Sequence, residues 1–554
     1  MPALRSISGL RVDALHILGG AVLALFSIQL CIAYFLPVYT DEIGFKWDYA
    51  RAFLDDGKIQ LLTISCRTDP TAPWPALWIP ARGLDALLYQ DLSNPSKLRI
   101  MGFAYAGVFL IALHFLVRRA CSAFEGASCW HVYTLALSFC TLGVLPFLLV
   151  MNRPELELMA GIAVLVVLVL PGRREVDSWR IAAAVAVLQY YLFSRHPKSL
   201  LLLPLFLACW YALRTHRGIR ILGTVGTAAL AVSLLRFYSR QLQCPLDNYV
   251  RSITASNVLS PDQLLQNPQY FFWRGFENLL GSAQYITNIT FRTEYLSSWL
   301  PGDGSRTAGL AIAGNLGIEI LWFVLLAVGI VGILLLLTQN LFGGSTGPPR
   351  SDPATRAVFV GLAASLVLTC FVQTQRNDYR STQILLMILL CALLALAAAF
   401  QPFKRSLWRA AATAAFGACL ISQAVFVHSF AGYPLASWGT PGPTIGQPFS
   451  VSHVGYASFR SKVVDLAREC GISESQPPEH LVLDDSTYPA FWRAKLPYHL
   501  VYVTGSWATA IPDLEALLVA RRYGGIVSEC GRLPGSLRVR TKEKDRICCL
   551  VPDG

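Results

Sequence analysis

Charge is scarce in this 554-residue chain, because only 14% of its residues are Asp, Glu, Lys or Arg. Soluble globular proteins carry about 25% charged residues. The low charge therefore excludes a string of soluble domains, a disordered chain and a charged coiled coil. Apolar residues are abundant instead: 54% of the chain is hydrophobic, and its mean hydropathy is +0.47. Apolar runs of membrane-spanning length recur through the first 430 residues, which predicts a polytopic α-helical membrane protein.

The chain also lacks the patterns that bind nucleic acid or zinc. Its net charge is +12, but the basic residues form small clusters between apolar runs, without a basic tail or interleaved aromatic residues. We therefore expect no nucleic-acid partner. The 14 cysteines include no CxxC pair and no Cys/His spacing typical of zinc. Four cysteines of the C-terminal region could form disulfides in an oxidising compartment, with the pairing left open: Cys470, Cys530, Cys548 and Cys549.

Hydropathy predicts about eleven spans, the first of them an uncleaved membrane anchor. Its apolar part is too long for a signal peptide, and no small-residue cleavage site precedes Thr40. The spans are expected at 12–38, 100–118, 130–150, 155–171, 179–194, 199–213, 219–236, 312–338, 356–374, 382–400 and 407–428.

Lys and Arg in the short connections orient the chain in the membrane. The set of loops that includes the N terminus carries about fifteen basic residues, against about five in the opposite short loops. This asymmetry predicts a multi-pass protein of the plasma (inner) membrane, with its N terminus in the cytoplasm and its C terminus outside. We expect a transmembrane domain at 1–428 with outer loops at 39–98 and 237–311, a linker at 429–448 and an outer α/β domain at 449–554.

Short apolar runs alternate with helical patterns in the last hundred residues, which is typical of a small α/β domain. Helices are expected over FRSKVVDLAREC, TYPAFWRAK and IPDLEALLVARRY. Strands are expected over HLVLD, HLVYV and GIVSE, followed by a terminal pair, LRVRT with ICCLV. In the outer loops, YARAFLDDGK, WPALWIPARGLDALLYQ and FFWRGFENLLGSAQYI have the pattern of helices lying in the membrane interface.

Charged residues are nearly absent from the centres of the spans, and the unusual polar residues collect at the outer ends. Pumps and proton-coupled transporters place charge inside the membrane where they need it. The distribution therefore favours a site at the outer membrane boundary over a path through the membrane.

An acidic pair, Asp41-Glu42, follows the first span directly. A carboxylate at this boundary can act as a general base toward a hydroxyl acceptor, or as a metal ligand, while a lipid substrate stays in the bilayer. The alternative is a solvated pair at the end of a span.

Two outer turns carry candidate phosphate ligands. The turn NRPE at 152–155 supplies Arg153, whose planar fork can hold a phosphate or a carboxylate; alternatively it pairs with Glu155 and caps the next span. The turn RHPK at 195–198 runs against the positive-inside bias. It predicts recognition of a lipid-linked phosphate or, alternatively, snorkelling to the outer headgroups.

A third outer turn, QRNDYR at 375–380, carries Arg380 before a late span. It would form a second wall of the same anion site, or else it is an ordinary polar turn. All of these clusters lie on the face that carries the large loops.

These residues resemble the motifs of the GT-C membrane glycosyltransferases, which use polyprenyl-phosphate sugars, and in particular the bacterial protein-mannosyltransferase and aminoarabinose-transferase-like group. TDE at 40–42 looks like the family's acidic first-loop motif. MNRPELELMAGIAVLVVLVL resembles its R-P-D/E stretch, and PKSLLLLPLFLACW resembles its K-G-x-x-x-L-L-P pattern, with Ser199 in place of the glycine. NDYRSTQILLMILL is similar, more loosely, to its R-Y-x-L-P stretch, with Tyr-Arg in place of Arg-Tyr and without the later proline. The resemblance covers roughly residues 1–215 and, weakly, 370–400.

The resemblance implies an inverting single displacement at the anomeric carbon of a polyprenyl-phosphate-linked sugar. Asp41 would be the base toward a glycan, lipid or protein hydroxyl, with Glu42 as its neighbour or a metal ligand. The residues that would bind the donor phosphate are Lys198, Arg195, His196, Arg153 and Arg380, with Glu155 in support. Members of the family differ in metal use, so no cofactor is firmly implied and a divalent cation is left open.

Two other classes of function stay open at the level of sequence. A transporter or flippase for a lipid-linked or polar solute would often show repeat symmetry and polar sites at the membrane midplane, and neither is evident here. A non-catalytic assembly protein, or a glycan polymerase or ligase of the cell envelope with a different fold, would share the large outer loops. The position of the acidic pair directly after the first span favours the transferase.

Overall fold

The computed structural model describes most of the helical segments and parts of the C-terminal region. The described residues are 13–39, 42, 46, 60–61, 79–170, 178–213, 215–242, 261–287, 308–341, 352–372, 378–400, 403–432, 450–451, 453–473, 481–484, 486–492, 499–501, 523–533 and 535–551.

Within these residues, seven helices are long and apolar enough to cross a membrane, which bears out the predicted class of polytopic helical membrane protein. They are α1 (Ala14–Phe35), α3 (Ser96–Ala120), α9 (Arg217–Leu242), α12 (Ala308–Leu341), α13 (Pro353–Val372), α14 (Asp378–Ala398) and α15 (Arg405–Phe430). Each of them covers one of the spans expected from hydropathy.

The other four expected spans are helical over all or part of their length but are not among the seven helices that are both long and apolar enough to cross a membrane, so the total of eleven stays a prediction. They correspond to α4 (Cys129–Cys140), α6 (Pro154–Val169), α7 (Ser178–Arg195) and α8 (Leu203–Ala212), the last preceded by a 3₁₀ turn at Pro197–Leu202.

The single span expected at 130–150 is wrong. Helix α4 ends at Cys140, and a one-turn helix α5 (Leu145–Leu148) follows. Gly143 has a φ of 52°, a left-handed conformation that favours glycine and breaks the helix. Hydropathy responds to composition and is insensitive to this conformation.

Two central helices begin at the same end of the bundle. Helix α6 packs against α3, α7 and α14, and its residues Pro154–Ala163 are all buried. Helix α14 is also largely buried. Their N-terminal ends lie on the same side as the end of α1, the start of α3 and the end of α7, which brings together polar turns that are distant in sequence.

The long loops expected at 39–98 and 237–311 contribute α2 (Ile79–Leu88), α10 (Pro261–Gln266) and α11 (Pro268–Thr287), while YARAFLDDGK lies outside the described residues. Helix α11 packs Phe271 against Phe371 of α13 and exposes Phe272, Trp273 and Phe276 over about half or more of their surfaces. The expected helices therefore form at two of the three interfacial segments, and α11 has the aromatic exposed face expected of an interfacial helix.

A six-stranded sheet forms from the C-terminal region and one strand of the first loop. Its order is β2 (Gln60–Leu61), β5 (His499–Val501), β4 (Leu481–Leu483), β6 (Gly525–Glu529), β8 (Ile547–Leu550) and β7 (Lys542–Lys544). The first four strands are parallel to one another, and β8 and β7 continue the sheet antiparallel. A second pair, β1 (Val38–Tyr39) with β3 (Ser450–Val451), joins the end of the first span to the C-terminal region.

Most of the C-terminal elements follow the sequence pattern. The expected helix FRSKVVDLAREC forms as α16 (Tyr456–Glu469), while TYPAFWRAK forms only a 3₁₀ turn at Tyr488–Phe491, and most of IPDLEALLVARRY lies outside the described residues. The strand expected at LRVRT is wrong, because Gly535–Arg538 forms a one-turn helix, α17, and the partner of β8 is the exposed, charged segment Lys542–Lys544. This charged segment lacks the alternation of apolar and polar residues that predicts a strand, so the sequence pattern did not indicate β7.

Two disulfides hold the sheet, Cys470–Cys549 and Cys530–Cys548. Cys548 and Cys549 are neighbours in β8, so their side chains point to opposite faces of the sheet. One disulfide therefore ties α16 to one face, and the other ties the turn after β6 to the opposite face.

The sheet region packs on the polar end of the helical bundle. Trp492 Nε1 donates to the carbonyl of Gln90 at 3.0 Å, and Tyr89 and Leu98 share a buried apolar cluster with Tyr456 and Phe459. Buried His453 forms hydrogen bonds with the carbonyl of Tyr34 and with Ser96. The junction surrounds the turns that carry the expected site.

Candidate functional site

The turn that leads into α6 is the centre of the site. Arg153 occupies the N-cap and Pro154 the first helical position, where a missing N–H costs nothing. Glu155 and Glu157 follow in the first turn, near the positive end of the helix dipole. Gly102 of α3 permits this arrangement, because a Cβ there would lie 1.9 Å from the carbonyl oxygen of Val150.

Four buried side chains form the first group of charges, which we call the balanced network. Lys46 Nζ lies 2.5 Å from Glu157 Oε1 and 3.4 Å from Asp85 Oδ1. Arg195 Nη2 donates to Glu157 Oε1 at 2.8 Å, and its Nη1 donates to Asp85. Two cations thus meet two carboxylates, and this pairing offsets part of the cost of removing four charges from water.

The two carboxylates of the network control the protonation of Lys46. Burial alone would lower the pKa of Lys46, but Asp85 and Glu157 raise this pKa well above its ordinary value. Tyr89, whose ring centroid lies 5.3 Å from the Lys46 ammonium, has its pKa raised by burial. Lys46 therefore stays charged and Tyr89 stays a neutral phenol at physiological pH.

A second group of charges, the cationic cluster, lies beside the first. Lys198 Nζ and Arg153 Nε both contact the carboxylate of Glu155, the latter at 3.3 Å. His196 Nδ1 accepts from the backbone N–H of Lys198 at 3.1 Å and caps the 3₁₀ turn. Arg380, at the start of α14, interacts electrostatically with both His196 and Lys198.

Within the described residues, the cationic cluster contains more cations than carboxylates. Arg153 and Lys198 contact Glu155, Arg380 lies close enough to Lys198 to interact with it electrostatically, and the side chain of Lys198 keeps 12% of its surface exposed. An anion with several oxygens suits such a group, since Arg and Lys donate charge-assisted hydrogen bonds to phosphate and carboxylate.

Glu42 is held from two sides. It accepts from the backbone N–H of Asn152 at 2.6 Å and from Arg99 Nη2 at 3.3 Å. Arg99 also donates to the carbonyls of Val150 and Pro37 at 3.0 and 2.9 Å, and so links the end of the first span to the turn before α6. Asp41 lies outside the described residues, and its role stays a prediction.

The structure brings five of the expected site residues together and separates two others. Arg153, Glu155, His196, Lys198 and Arg380 share the cationic cluster. By contrast, Arg195 pairs with Asp85 and Glu157, and Glu42 pairs with Arg99.

Sequence reasoning did not single out Lys46, Asp85, Arg99 or Glu157. A signal existed for Glu157, because an acid inside an apolar span is costly and usually has a partner. Asp85 and Lys46 gave no such signal. They contact each other, but their other partners lie more than a hundred residues away in the sequence.

Two groups of described residues have ligand atoms close enough together for a metal ion. Asp13, His16 and His131 lie at the opposite end of the bundle, where Arg409 Nη1 donates to Asp13 at 2.7 Å. The other group includes Cys530 and Cys548, which are joined in a disulfide. Neither group belongs to the site, and the cation left open beside Asp41 and Glu42 stays untested.

Comparison with known proteins gives limited similarity. No protein-family model and no curated protein matches the chain. Among solved structures, the crystal structure of ArnT from Cupriavidus metallidurans bound to undecaprenyl phosphate is 12% identical, with a TM-score of 0.41. The apo structure of the same protein is 14% identical, with a TM-score of 0.36; both comparisons cover 96% of this chain and 97% of the other. At this level of similarity the functional argument depends on the site itself.

Proposed function

We propose that this protein transfers a sugar from a polyprenyl phosphate to a hydroxyl group of a glycan, lipid or protein. The observation that carries the proposal is the cationic cluster: Arg153, Lys198 and Arg380, from three separate turns, converge at one end of a membrane-spanning bundle. A phosphate attached to a membrane lipid is an anion that reaches this position without leaving the bilayer.

The cluster suits a phosphate that departs during the reaction. Negative charge grows on the phosphate as its bond to the anomeric carbon breaks, and preorganised cations stabilise that charge. Glu155 holds Lys198 and Arg153 in place beforehand, so their orientation requires little rearrangement at the moment of transfer. His196 fixes the start of the 3₁₀ turn that carries Lys198.

Asp41 is the proposed base, with Glu42 as a positioning residue. Glu42 is buried and accepts hydrogen bonds from Arg99 and the backbone of Asn152, which suits an anchor for the segment after the first span. Asp41, next to that anchor, would take the proton from the acceptor hydroxyl. Attack from the face opposite the phosphate would invert the anomeric configuration, and any divalent cation would act beside this acidic pair.

The site is proposed to face the outside of the cytoplasmic membrane. The excess of Lys and Arg in the loops of the opposite face supports this orientation. The two disulfides of the sheet region support it independently, because structural disulfides persist in oxidising compartments. The charges gather at one end of the bundle, which favours a transferase over a transporter with a midplane site.

The test is transfer of radiolabelled sugar from a panel of polyprenyl-phosphate donors in membranes that contain the protein. We expect turnover by the parent and its loss in Asp41→Asn at matched protein level. Asp465→Asn, at an exposed position of α16, is the control and should turn over normally. Movement of labelled lipid across the membrane without consumption of any donor would instead identify a flippase.

A further inference from the structure

Asn152 has one unused hydrogen-bonding atom inside the site. The residue is fully buried, and its backbone N–H donates to Glu42. Its side-chain Nδ2 donates to the hydroxyl oxygen of Tyr89 at 2.5 Å. Its Oδ1 is buried and has no hydrogen-bond partner within the described residues. Buried polar atoms are nearly always paired, so an unpaired carbonyl oxygen here calls for an external donor.

The chemistry of this atom restricts what the partner can be. An amide oxygen accepts and does not donate, and phosphate oxygens at neutral pH are acceptors too. The phosphate that the cationic cluster is proposed to bind therefore cannot pair with Asn152 Oδ1. A sugar hydroxyl can, because its O–H group donates a hydrogen bond.

The position of Asn152 fits a sugar rather than the lipid chain. Asn152 directly precedes Arg153 of the cationic cluster, and Tyr89 and Glu42 hold its two nitrogen atoms. In a polyprenyl-phosphate sugar, the ring is bonded directly to the phosphate, so its hydroxyls lie within one ring of the atoms that bind phosphate. The polyprenyl chain offers no donor.

We propose that Asn152 Oδ1 accepts a hydrogen bond from a hydroxyl of the sugar on the lipid phosphate. This inference depends on the proposed function, since it assumes that the cationic cluster holds the phosphate. Asn152 then distinguishes the sugar-bearing donor from the sugar-free product, polyprenyl phosphate. A site that hydrogen-bonds a substrate hydroxyl discriminates against a ligand that lacks it.

The test compares two affinities in the full-length protein: for undecaprenyl phosphate, and for undecaprenyl phosphate that carries a pentose or a hexose. We expect the parent to prefer a sugar-bearing lipid. Asn152→Ala should reduce that preference about tenfold, the order expected for one lost hydrogen bond, and leave the affinity for undecaprenyl phosphate unchanged.

A matched variant separates sugar recognition from structural damage. Asn278→Ala removes another buried amide, one that donates to the carbonyl of Cys370, and should leave the preference for the sugar unchanged.

Four results would count against the inference. If Asn152→Ala keeps the full preference, or loses both affinities equally, Asn152 does not recognise the sugar while the phosphate site stands. A parent that binds both lipids equally leads to the same conclusion. If the parent binds neither lipid, the proposed function fails and this inference fails with it.

Discussion

At the scale of single residues, the site separates side chains whose charge is balanced from those that can serve a ligand. Arg195 and Lys198 are three positions apart, and sequence reasoning assigned both to the donor phosphate. In the structure, Arg195 is buried between Asp85 and Glu157, whereas Lys198 is partly exposed beside Glu155. Replacing Arg195 is therefore expected to affect mainly stability, and replacing Lys198 mainly ligand binding.

Replacing Arg195 should destabilise the folded protein more than replacing Lys198. Arg195→Gln leaves two buried carboxylates with only Lys46 between them, and breaking a buried ion pair costs about 3–5 kcal/mol. Lys198→Gln should cost less stability, because Lys198 is partly exposed and Arg153 still pairs with Glu155, and it should weaken the binding of undecaprenyl phosphate. Thermal unfolding in detergent and lipid-binding titrations measure the two effects. An Arg195→Gln protein that is as stable as the parent but does not bind the lipid would show that Arg195 belongs to the phosphate site.

Gly102 should be essential to the geometry of the site. Gly102→Ala places a methyl group against the carbonyl of Val150 and forces away the turn that carries Asn152 and Arg153. We expect a loss of sugar transfer of at least about tenfold, in line with the sensitivity of catalysis to small displacements of positioned groups. Gly107→Ala, on the same helix with open space around the position, is the matched control and should act as the parent. Equal activities of the two variants would refute the positioning role.

At the scale of elements, the helices were largely predictable and their breaks were not. The expected span at 100–118 became α3, with the same centre, because its apolar residues dominate the hydropathy. The break after Cys140 depends on the conformation of Gly143, which composition does not encode. Strand β2 has only two residues and pairs with a strand more than 400 positions away, so no local periodicity could reveal it.

The contact between the sheet region and the helical bundle should weaken in acid. Burial, with a contribution from the Arg99 charge, lowers the pKa of His453 to about 4, while its hydrogen bond to the Tyr34 carbonyl opposes the shift. His453 is therefore neutral when docked and binds a proton only when released. The stability of this contact should fall by up to about 3 kcal/mol as the pH drops from about 6.5 to about 4, because the released state binds more protons than the docked state in that range.

Limited proteolysis of the sheet region across this pH range measures the release. His453→Gln should flatten the pH dependence, since it removes the titrating group at the junction. An unchanged pH profile in His453→Gln would show that other groups control the contact.

At the scale of the whole molecule, the polar site forms where the ends of five helices meet the sheet region. Sequence motifs singled out Arg153, Glu155 and Lys198 as candidates, because each stands in a short polar turn between apolar spans. They could not identify Lys46 or Asp85, whose function as partners of Glu157 and Arg195 depends on how distant segments pack. The central claim that unites these levels is that the cationic cluster binds the phosphate of a lipid.

The most direct test of this claim compares the binding of undecaprenyl phosphate with that of undecaprenol, which has the same chain and no phosphate. We predict that the parent prefers the phosphate by about a hundredfold, that Lys198→Gln loses at least about tenfold of this preference, and that Lys404→Gln, at an exposed position at the opposite end of the bundle, keeps it. Equal affinity of the parent for the two lipids, or an unchanged preference in Lys198→Gln, would contradict the account.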